Sequence, residues 1–574
     1  MIRRILSLGA LLVALVMGGN AQAYHMVWLD FSEFDLSDFA MVNGNTPPTA
    51  ADVAAVRKQI LTNMVEDYAP FDVQFSTFEP DFGRNSRVRF RTGVLSSSFG
   101  CAGPGCCATG GSCTGIGSWD DLHQSSSEVY VETFANNSNW QGANATTARI
   151  ANAISHTASH ELGHVMDLLH CNAADDSITL GCSGITTNTN DANPNWHIMA
   201  SGRSWGLATS ARATRDRFMS IHASRRILHG NVQVRNHWNS LADLNGGGRS
   251  DLAYGRFDTS SKTRWFGRLS TGSAFGGWTE WRGDAGDAGD IFLTGDVTGD
   301  GKGDLVYGRF ISSSQVRWLV RESLGDGFSG WVRWRNDAGN VGDIFRLADV
   351  DGDGRDDLIY GRPVSSSQIR WFVRRSSGSA FGPWENWRDD AGDEGDIFMV
   401  GDVDADGRDD LVYGRQPSSW QTIWYARRST GSGFGTWWTW RVDAGDRGDL
   451  FYLGDGDGDG DADLIYGRTL SDNEVRWYFR PAKPSILGFW FGKFGAYETW
   501  RNDAGDAGDL FRIGDGSGDG RTDLLYGRPR GMTSLTATPD LSRVRWYGRT
   551  STGSGFSSWS TWRSDAGDEG DIFP

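Results

Sequence analysis

The residues best placed to do chemistry are His160, Glu161 and His164 in the run His160-Glu161-Leu162-Gly163-His164. On a helix, positions four apart share a face, so both imidazoles can reach one ion, and neutral imidazole is a zinc ligand. His170, six residues beyond His164, supplies a third nitrogen if the helix ends and the chain turns back. Three protein ligands leave the fourth position of a single catalytic Zn2+ to water. The metal lowers the pKa of that water and polarises a carbonyl. Glu161 stands beside the first ligand, as a general base that takes the proton and passes it to a leaving amine. A five-residue match of this kind also arises by chance in buried helices. The third histidine, an export signal and a later His197-Ile198-Met199-Ala200 distinguish this one.

Taken in order, these motifs resemble the metzincin family of zinc peptidases. In that family HExxHxxGxxH is followed by a tight turn carrying a methionine beneath the metal. His160, Glu161, His164 and His170 fall on the first motif, and Met199, 29 residues after His170, falls on the second. The resemblance spans about residues 24–230. It implies an α+β metzincin-like catalytic domain and zinc-dependent endopeptidase activity on a protein or peptide substrate. Asp167 stands where the family has glycine, and Asp tolerates a left-handed backbone better than most residues. Ser201 stands where some subfamilies carry a tyrosine that approaches zinc, so the similarity is to matrixin-like members. His123, His156 and His197 read as packing or surface residues.

A second chemistry lies toward the C-terminus. Three loops present carboxylates at positions 1, 3, 5 and 9: Asp349, Asp351, Asp353 and Asp357; Asp402, Asp404, Asp406 and Asp410; Asp455, Asp457, Asp459 and Asp463. Oxygens so spaced on a glycine-bent loop suit Ca2+, a hard cation of high coordination number. Weaker copies hold Asp296, Asp300 and Asp304 with Thr298, and Asp515, Asp519 and Asp523 with Ser517. The first copy, Asp243, Asn245 and Asp251, has glycine at position 5 and reads as degenerate. No loop has the Glu of an EF-hand at position 12, and each runs straight into a strand. The loops resemble the FG-GAP and VCBS-type repeats of integrin-like propellers, which implies several structural Ca2+ ions.

The elements that must position these groups fall into two styles. Residues 24–31, 71–78, 87–91 and 128–134 read as strands, the second a half-buried one because it alternates. Residues 49–68 read as an amphipathic helix capped by Thr49, 147–169 as the long histidine-bearing helix, and 212–228 as another. After about residue 240, Tyr-Gly-Arg recurs with its tyrosine at 254, 307, 360, 413, 466 and 526. The period is 53 residues, with one interval of 60, and the extra length is assigned to residues 532–540. Four strand-like runs per repeat match a propeller blade. In the third repeat these are 344–348, 358–361, 369–374 and 384–387. Six repeats are present, and Asp571-Ile572-Phe573-Pro574 opens a seventh, so the reading is an all-β propeller of six, possibly seven, four-stranded blades. In the six-blade case the fragment closes the ring beside the first blade.

Trp-x-x-Trp pairs recur at Trp278/Trp281, Trp331/Trp334, Trp384/Trp387, Trp437/Trp440 and Trp559/Trp562, with Tyr497/Trp500 in the fifth repeat. Packing between blades is the bland reading; stacking on a glycan or other cell-surface ligand is the sharper one. Arg282-Gly283-Asp284 spells an adhesion tripeptide but reads as drift within a repeat.

Of the 574 residues, 55 Lys and Arg face 72 Asp and Glu, a net charge of −17. That excludes a basic nucleic-acid-binding surface. Residues 1–23 carry Arg3 and Arg4, an apolar run and Ala21-Gln22-Ala23, the pattern of a secretory signal peptide. No apolar stretch is long enough to span a membrane. A secreted, extracellular protein permits disulfides: Cys171 and Cys182 are expected to pair across the loop after His170, while Cys101, Cys106, Cys107 and Cys113 read as a stapled glycine-rich loop with their pairing open. The division expected is signal peptide 1–23, metallopeptidase domain 24–230, linker 231–242 and propeller 243–574. The competing reading is an adhesin or lectin-like binding protein whose zinc domain is inactive or secondary.

Overall fold

The computed structural model describes residues 25–39, 47–68, 73–80, 85–92, 115–116, 126–131, 145–166 and 241–574, the last with short gaps at 259–261, 419, 471–473, 484–492, 507–508, 530–542 and 569. The N-terminal part comprises β1 (His25–Asp30), α1 (Ala50–Asp67), β2 (Val73–Ser76), β3 (Asn85–Arg91), β4 (Gly115–Ile116), β5 (Ser126–Tyr130) and α2 (Thr147–Val165). The sheet order is β2-β1-β3-β5-β4, parallel except for β4, which pairs antiparallel with β5. β4 was not legible in the sequence, since two residues in a glycine-rich loop carry no periodicity.

Thr49 caps α1 through a capping box: Asp52 N donates to Thr49 Oγ1 (3.2 Å), and Thr49 N donates to Asp52 Oδ2 (2.8 Å). That satisfies two otherwise orphaned amides. Val56, Ile60 and Met64 are buried at helical spacing. The alternation of β2 predicts a half-buried strand, yet all four residues are buried. The propeller covers the second face: Gln74 Nε2 donates to Gly289 O at 3.0 Å. Gly289 also lies against Leu61 of α1, where a Cβ would stand 3.1 Å from its Cδ2.

From residue 241 the chain forms six four-stranded antiparallel sheets. In the third these are Ile344–Ala348, Asp357–Ser365, Gln368–Arg374 and Glu385–Arg388, one residue from the expected bounds at most starts and longer at some ends. The first strands of successive sheets neighbour one another around the whole ring, including sheet six with sheet one, so the architecture is a closed six-bladed propeller. One contact recurs between every blade and the next. A buried tryptophan of the third strand packs on a phenylalanine of the next blade's first strand, as Trp371 does on Phe398 (5.1 Å). Its indole N–H, which would be costly to bury alone, donates to an alanine carbonyl: Trp371 Nε1 to Ala391 O, 2.9 Å.

Closure uses the C-terminal fragment. Ile572 exchanges two 2.7 Å hydrogen bonds with Gly255 of blade 1, in the register of Ile291 opposite Gly308 in blade 2. Phe573 packs on Trp546 of blade 6 (5.4 Å). The opening of a seventh repeat thus completes the first strand of blade 1, continuing the line of Leu241–Ala242. No seventh blade exists among the described residues.

The irregular interval needs correcting. Trp477 reaches its alanine, Ala504, across 27 residues where other blades span 20. The extra length of the 60-residue interval therefore sits in blade 5, around a small hairpin of Ala482–Lys483 with Lys493–Phe494, not at 532–540. Blade 6 has a separate insertion, since Asp523 to Ser551 spans 28 residues where Asp410 to Ser429 spans 19. The tyrosine spacing cannot register that second insertion, which follows the last tyrosine of the series.

Candidate functional site

His160, Glu161 and His164 lie in the C-terminal two turns of α2. The helix is fixed from the α1 side. Asn63 Nδ2 donates to Asn152 Oδ1 (2.7 Å) and Ser155 Oγ (2.9 Å), Tyr68 Oη donates to Ser159 O (2.7 Å), and Ser159 Oγ donates to Asp67 Oδ2 (2.5 Å). Two of these bonds hold the residue immediately before His160. His160 and Glu161 are buried, and burial alone pushes the Glu161 carboxyl up to about 8. His156 is buried on the same helix, consistent with packing. His170, Met199, Cys171, Cys182 and the four clustered cysteines lie outside the described residues, as do His123, His197 and the helix expected at 212–228.

The six acidic loops sit on one end of the propeller and are stitched together. The amide at position 8 of each loop donates to the carbonyl at position 1 of the preceding one, from Ser250 to Asp515, Gly303 to Asp243, Asp356 to Asp296, Asp409 to Asp349, Ala462 to Asp402 and Thr522 to Asp455, at 2.7–2.8 Å. The position-1 carboxylate is wrapped by the loop's own amides: Asp349 accepts from Gly352 (2.8 Å), Asp353 (3.1 Å) and Gly354 (2.8 Å). Gly352 and Gly354 adopt φ of 79° and 83°, a region that favours glycine, although Ala405 takes the equivalent of Gly352 in the next loop at φ 55°.

The loops differ in which oxygens remain unsatisfied. At position 9, one oxygen of each Asp accepts a backbone amide from the blade's later strand region, such as Ser376 N to Asp357 Oδ1 (2.7 Å). The other oxygen accepts a loop amide in four blades: Leu244 N to Asp251, Thr298 N to Asp304, Gly456 N to Asp463 and Ser517 N to Asp523. In the remaining two it has no partner: Asp357 Oδ2 and Asp410 Oδ2 are buried and unbonded, as are Asp351 Oδ1 and Asp404 Oδ1 at position 3. Asp402, Asp404 and Asp410 bring oxygens within 4.8 Å of one another, as do Asp349, Asp351 and Asp353, and Asp455, Asp457 and Asp463. Buried acceptors without donors are costly, and a hard cation satisfies them. These donor sets fit one. Burial, aided by repulsion within the loop, raises Asp357 to about 8 and Asp463 to about 9.

Not every expected ligand faces the cluster. Position-5 carboxylates pair with a base at position 7, Asp300 with Lys302, Asp353 with Arg355, Asp406 with Arg408 and Asp519 with Arg521, and of these four only Asp353 also belongs to its loop's triad. Position 3 also carries an ion pair on its outer oxygen, to Arg375 at Asp351 (3.2 Å) and Arg428 at Asp404 (2.9 Å). The sequence reading missed two groups. Asp461 joins Asp459 and Asp463 in a further triad, and Asp409 accepts from Asp349 N (3.0 Å). Aligning position 7 across repeats reveals the first, because every other loop has Arg or Lys there.

The Trp-x-x-Trp pairs divide cleanly. The second member is buried against the next blade, as Trp387 is on Phe434 (5.2 Å). The first is 52–59% exposed in all six blades: Trp278, Trp331, Trp384, Trp437, Tyr497 and Trp559. In five blades it stands edge-on to a strand aromatic, as Trp384 does to Phe372 (5.9 Å); in blade 2 the corresponding strand residue is Leu319. The adhesion-like tripeptide is tied to itself, Arg282 Nε to Asp284 Oδ1 at 2.6 Å, and Arg335–Asp337 and Arg388–Asp390 repeat the pair.

Residues 349–413 match the FG-GAP-like repeat family. That stretch runs from one acidic loop through the next to the following Tyr-Gly-Arg tyrosine. No curated protein matches the chain. Among solved structures, the chain is similar to a fucose-specific lectin from Aleuria aurantia, at 11% identity and TM-score 0.33, over 56% of this chain and 93% of that one. A six-bladed Aleuria aurantia lectin has 10% identity and TM-score 0.32, over 58% and 99%. AofleA from Arthrobotrys oligospora has 8% identity and TM-score 0.31, over 58% and 90%.

Proposed function

We propose that this protein is a secreted zinc-dependent endopeptidase whose calcium-bearing propeller binds the substrate or the surface on which it acts. The observation that carries the reading is the buried His160-Glu161 pair with His164 on one helical turn, held by Tyr68 and Asp67 through Ser159. The strand–helix–strands–helix order before that turn supports the metzincin-like assignment. His160, His164 and His170 would hold the zinc, and a bound zinc would supply an acidified water and an electrophile for the peptide carbonyl. Glu161 takes the proton from the attacking water and returns it to the leaving nitrogen. Ionising it in so buried a site requires a neighbouring positive charge, since burial alone favours the neutral acid. In the propeller, the unbonded oxygens of Asp351, Asp357, Asp404 and Asp410 support structural Ca2+, most strongly in the loops at 349 and 402. Residues 1–23 support export.

The test is cleavage of a denatured generic protein by the mature chain, beside Glu161→Gln, with Zn2+ and Ca2+ present. Chelator-sensitive cleavage that the variant lacks is the expected result. A folded, zinc-loaded wild type that cleaves neither this substrate nor a broad peptide library overturns the peptidase reading. The six exposed aromatics favour a second reading, an adhesin or lectin-like protein that binds glycans through stacking on these rings, with the zinc domain secondary. Trp384→Ala and Trp331→Ala would then weaken retention on immobilised glycans while proteolysis is absent.

A further inference from the structure

The fifth acidic loop, residues 455–463, breaks the pattern of the other five. Elsewhere position 7 is basic, as Arg249, Lys302, Arg355, Arg408 or Arg521, and in four loops that base neutralises the position-5 carboxylate. Here position 7 is Asp461. Its side chain is only 3% exposed, and its Oδ1 is buried and accepts no hydrogen bond. Asp459 is exposed and has no basic partner of this kind, and Asp459, Asp461 and Asp463 place oxygens within 4.8 Å of one another. Asp455, Asp457 and Asp463 do the same on the other side of Asp463.

Five carboxylates therefore converge on nine residues, and among the described residues none of the five is ion-paired with a base. The loops at 349 and 402 keep a nearby arginine on their position-3 carboxylate; this loop has none. One cation touching three of the five would leave two facing each other uncompensated. The two triads share one residue, and each carboxylate oxygen has two lone pairs. Asp463 can thus keep its amide bonds from Ala482 and Gly456 and still bridge two ions. All the donors are hard oxygens, which select Ca2+ over softer metals.

We propose that the loop 455–463 is a two-cation site, with one Ca2+ held by Asp455, Asp457 and Asp463 and a second by Asp459, Asp461 and Asp463. The inference rests on the reading of the acidic loops as Ca2+ sites. It is tested by counting bound Ca2+ on the intact protein by equilibrium dialysis with radioactive calcium. The wild type is compared with Asp461→Arg, which restores the base of the other repeats, with Asp457→Ala, and with the double variant. Each single change removes one equivalent and the double removes two. Near-UV circular dichroism monitors folding, and Asp461→Asn replaces Asp461→Arg if the latter does not fold. A wild type that binds Ca2+ but keeps its full count in the Asp461 variant, or a double variant that loses only one equivalent, overturns the second ion alone. A wild type that binds no Ca2+ overturns the reading of the loops and this inference with it.

Discussion

Phe573→Ala isolates the closure of the ring. Phe573 is buried, packed 5.4 Å from Trp546 and 5.8 Å from Tyr254. Its carbonyl accepts from Arg512 Nη2 (2.8 Å). Next to it, Ile572 exchanges two hydrogen bonds with Gly255, and Asp571 receives Arg256 through two 2.8 Å contacts. Removing a buried phenylalanine side chain costs about 3–5 kcal/mol, a large part of the roughly 5–15 kcal/mol of a typical domain. In blades 2 to 6 the first strand is one piece that continues directly into the acidic loop. In blade 1 the Ile572–Phe573 segment is a separate piece of chain, so its release opens one blade without unfolding the others. Amide exchange of Gly255 reads that opening. At about 1.4 kcal/mol per factor of ten, a loss of about 3–5 kcal/mol speeds its exchange roughly 10²–10⁴-fold, up to the limit set by global unfolding. Gly308, which faces Ile291 within a continuous blade, stays protected. Unchanged exchange at Gly255, or exchange at Gly255 and Gly308 rising in step, would refute the idea that this fragment latches the ring.

Ca2+ and pH are linked through the buried loop acids. Asp357 and Asp463 titrate near 8 and 9 because burial disfavours their charge, against about 3.9 when unfolded. With folded values raised, their contribution to stability is full below about pH 4 and is lost as pH rises toward 9. Bound Ca2+ takes the place of those protons, so the gap between Ca2+-loaded and chelated urea midpoints widens from pH 5 to pH 9; a constant gap contradicts the assignment. The two members of one aromatic pair should separate in denaturation: Trp387→Ala costs about 3–5 kcal/mol, whereas the exposed Trp384→Ala stays within about 0.5 kcal/mol. Equal losses would mean that the exposed ring packs after all. Tyr68→Phe deletes the buried bond to Ser159 O and costs about 1–3 kcal/mol by leaving that carbonyl unpaired, measurable by thermal or urea unfolding and absent if water replaces the hydroxyl.

Much of this protein follows from local patterns. The recurrence of Tyr-Gly-Arg sets the number of blades, because each repeat folds as one meander and cannot bury its faces alone. Thr49 and the spacing of Val56, Ile60 and Met64 set α1, because capping and helical periodicity act within a few residues. The carboxylate spacing marks the acidic loops, and His160-Glu161-xx-His164 marks its helix turn. What needed the tertiary structure were contacts between distant segments. The repeat offered Ile572 and Phe573 either as the opening of a seventh blade or as the closing strand beside blade 1, and only their contacts with Gly255 and Trp546 decided for closure. β2 is buried on both faces because the propeller reaches Gln74. Trp387 is covered and Trp384 is not, though both are tryptophan in one motif, because only one points at the neighbouring blade. Whether a loop acid binds its own amide, an arginine or nothing depends on which base stands near it in three dimensions. The unbonded oxygens of the loops at 349 and 402, where no loop amide reaches Asp357 Oδ2 or Asp410 Oδ2, show only in the folded loops, whereas the departure at Asp461 is already visible in the sequence.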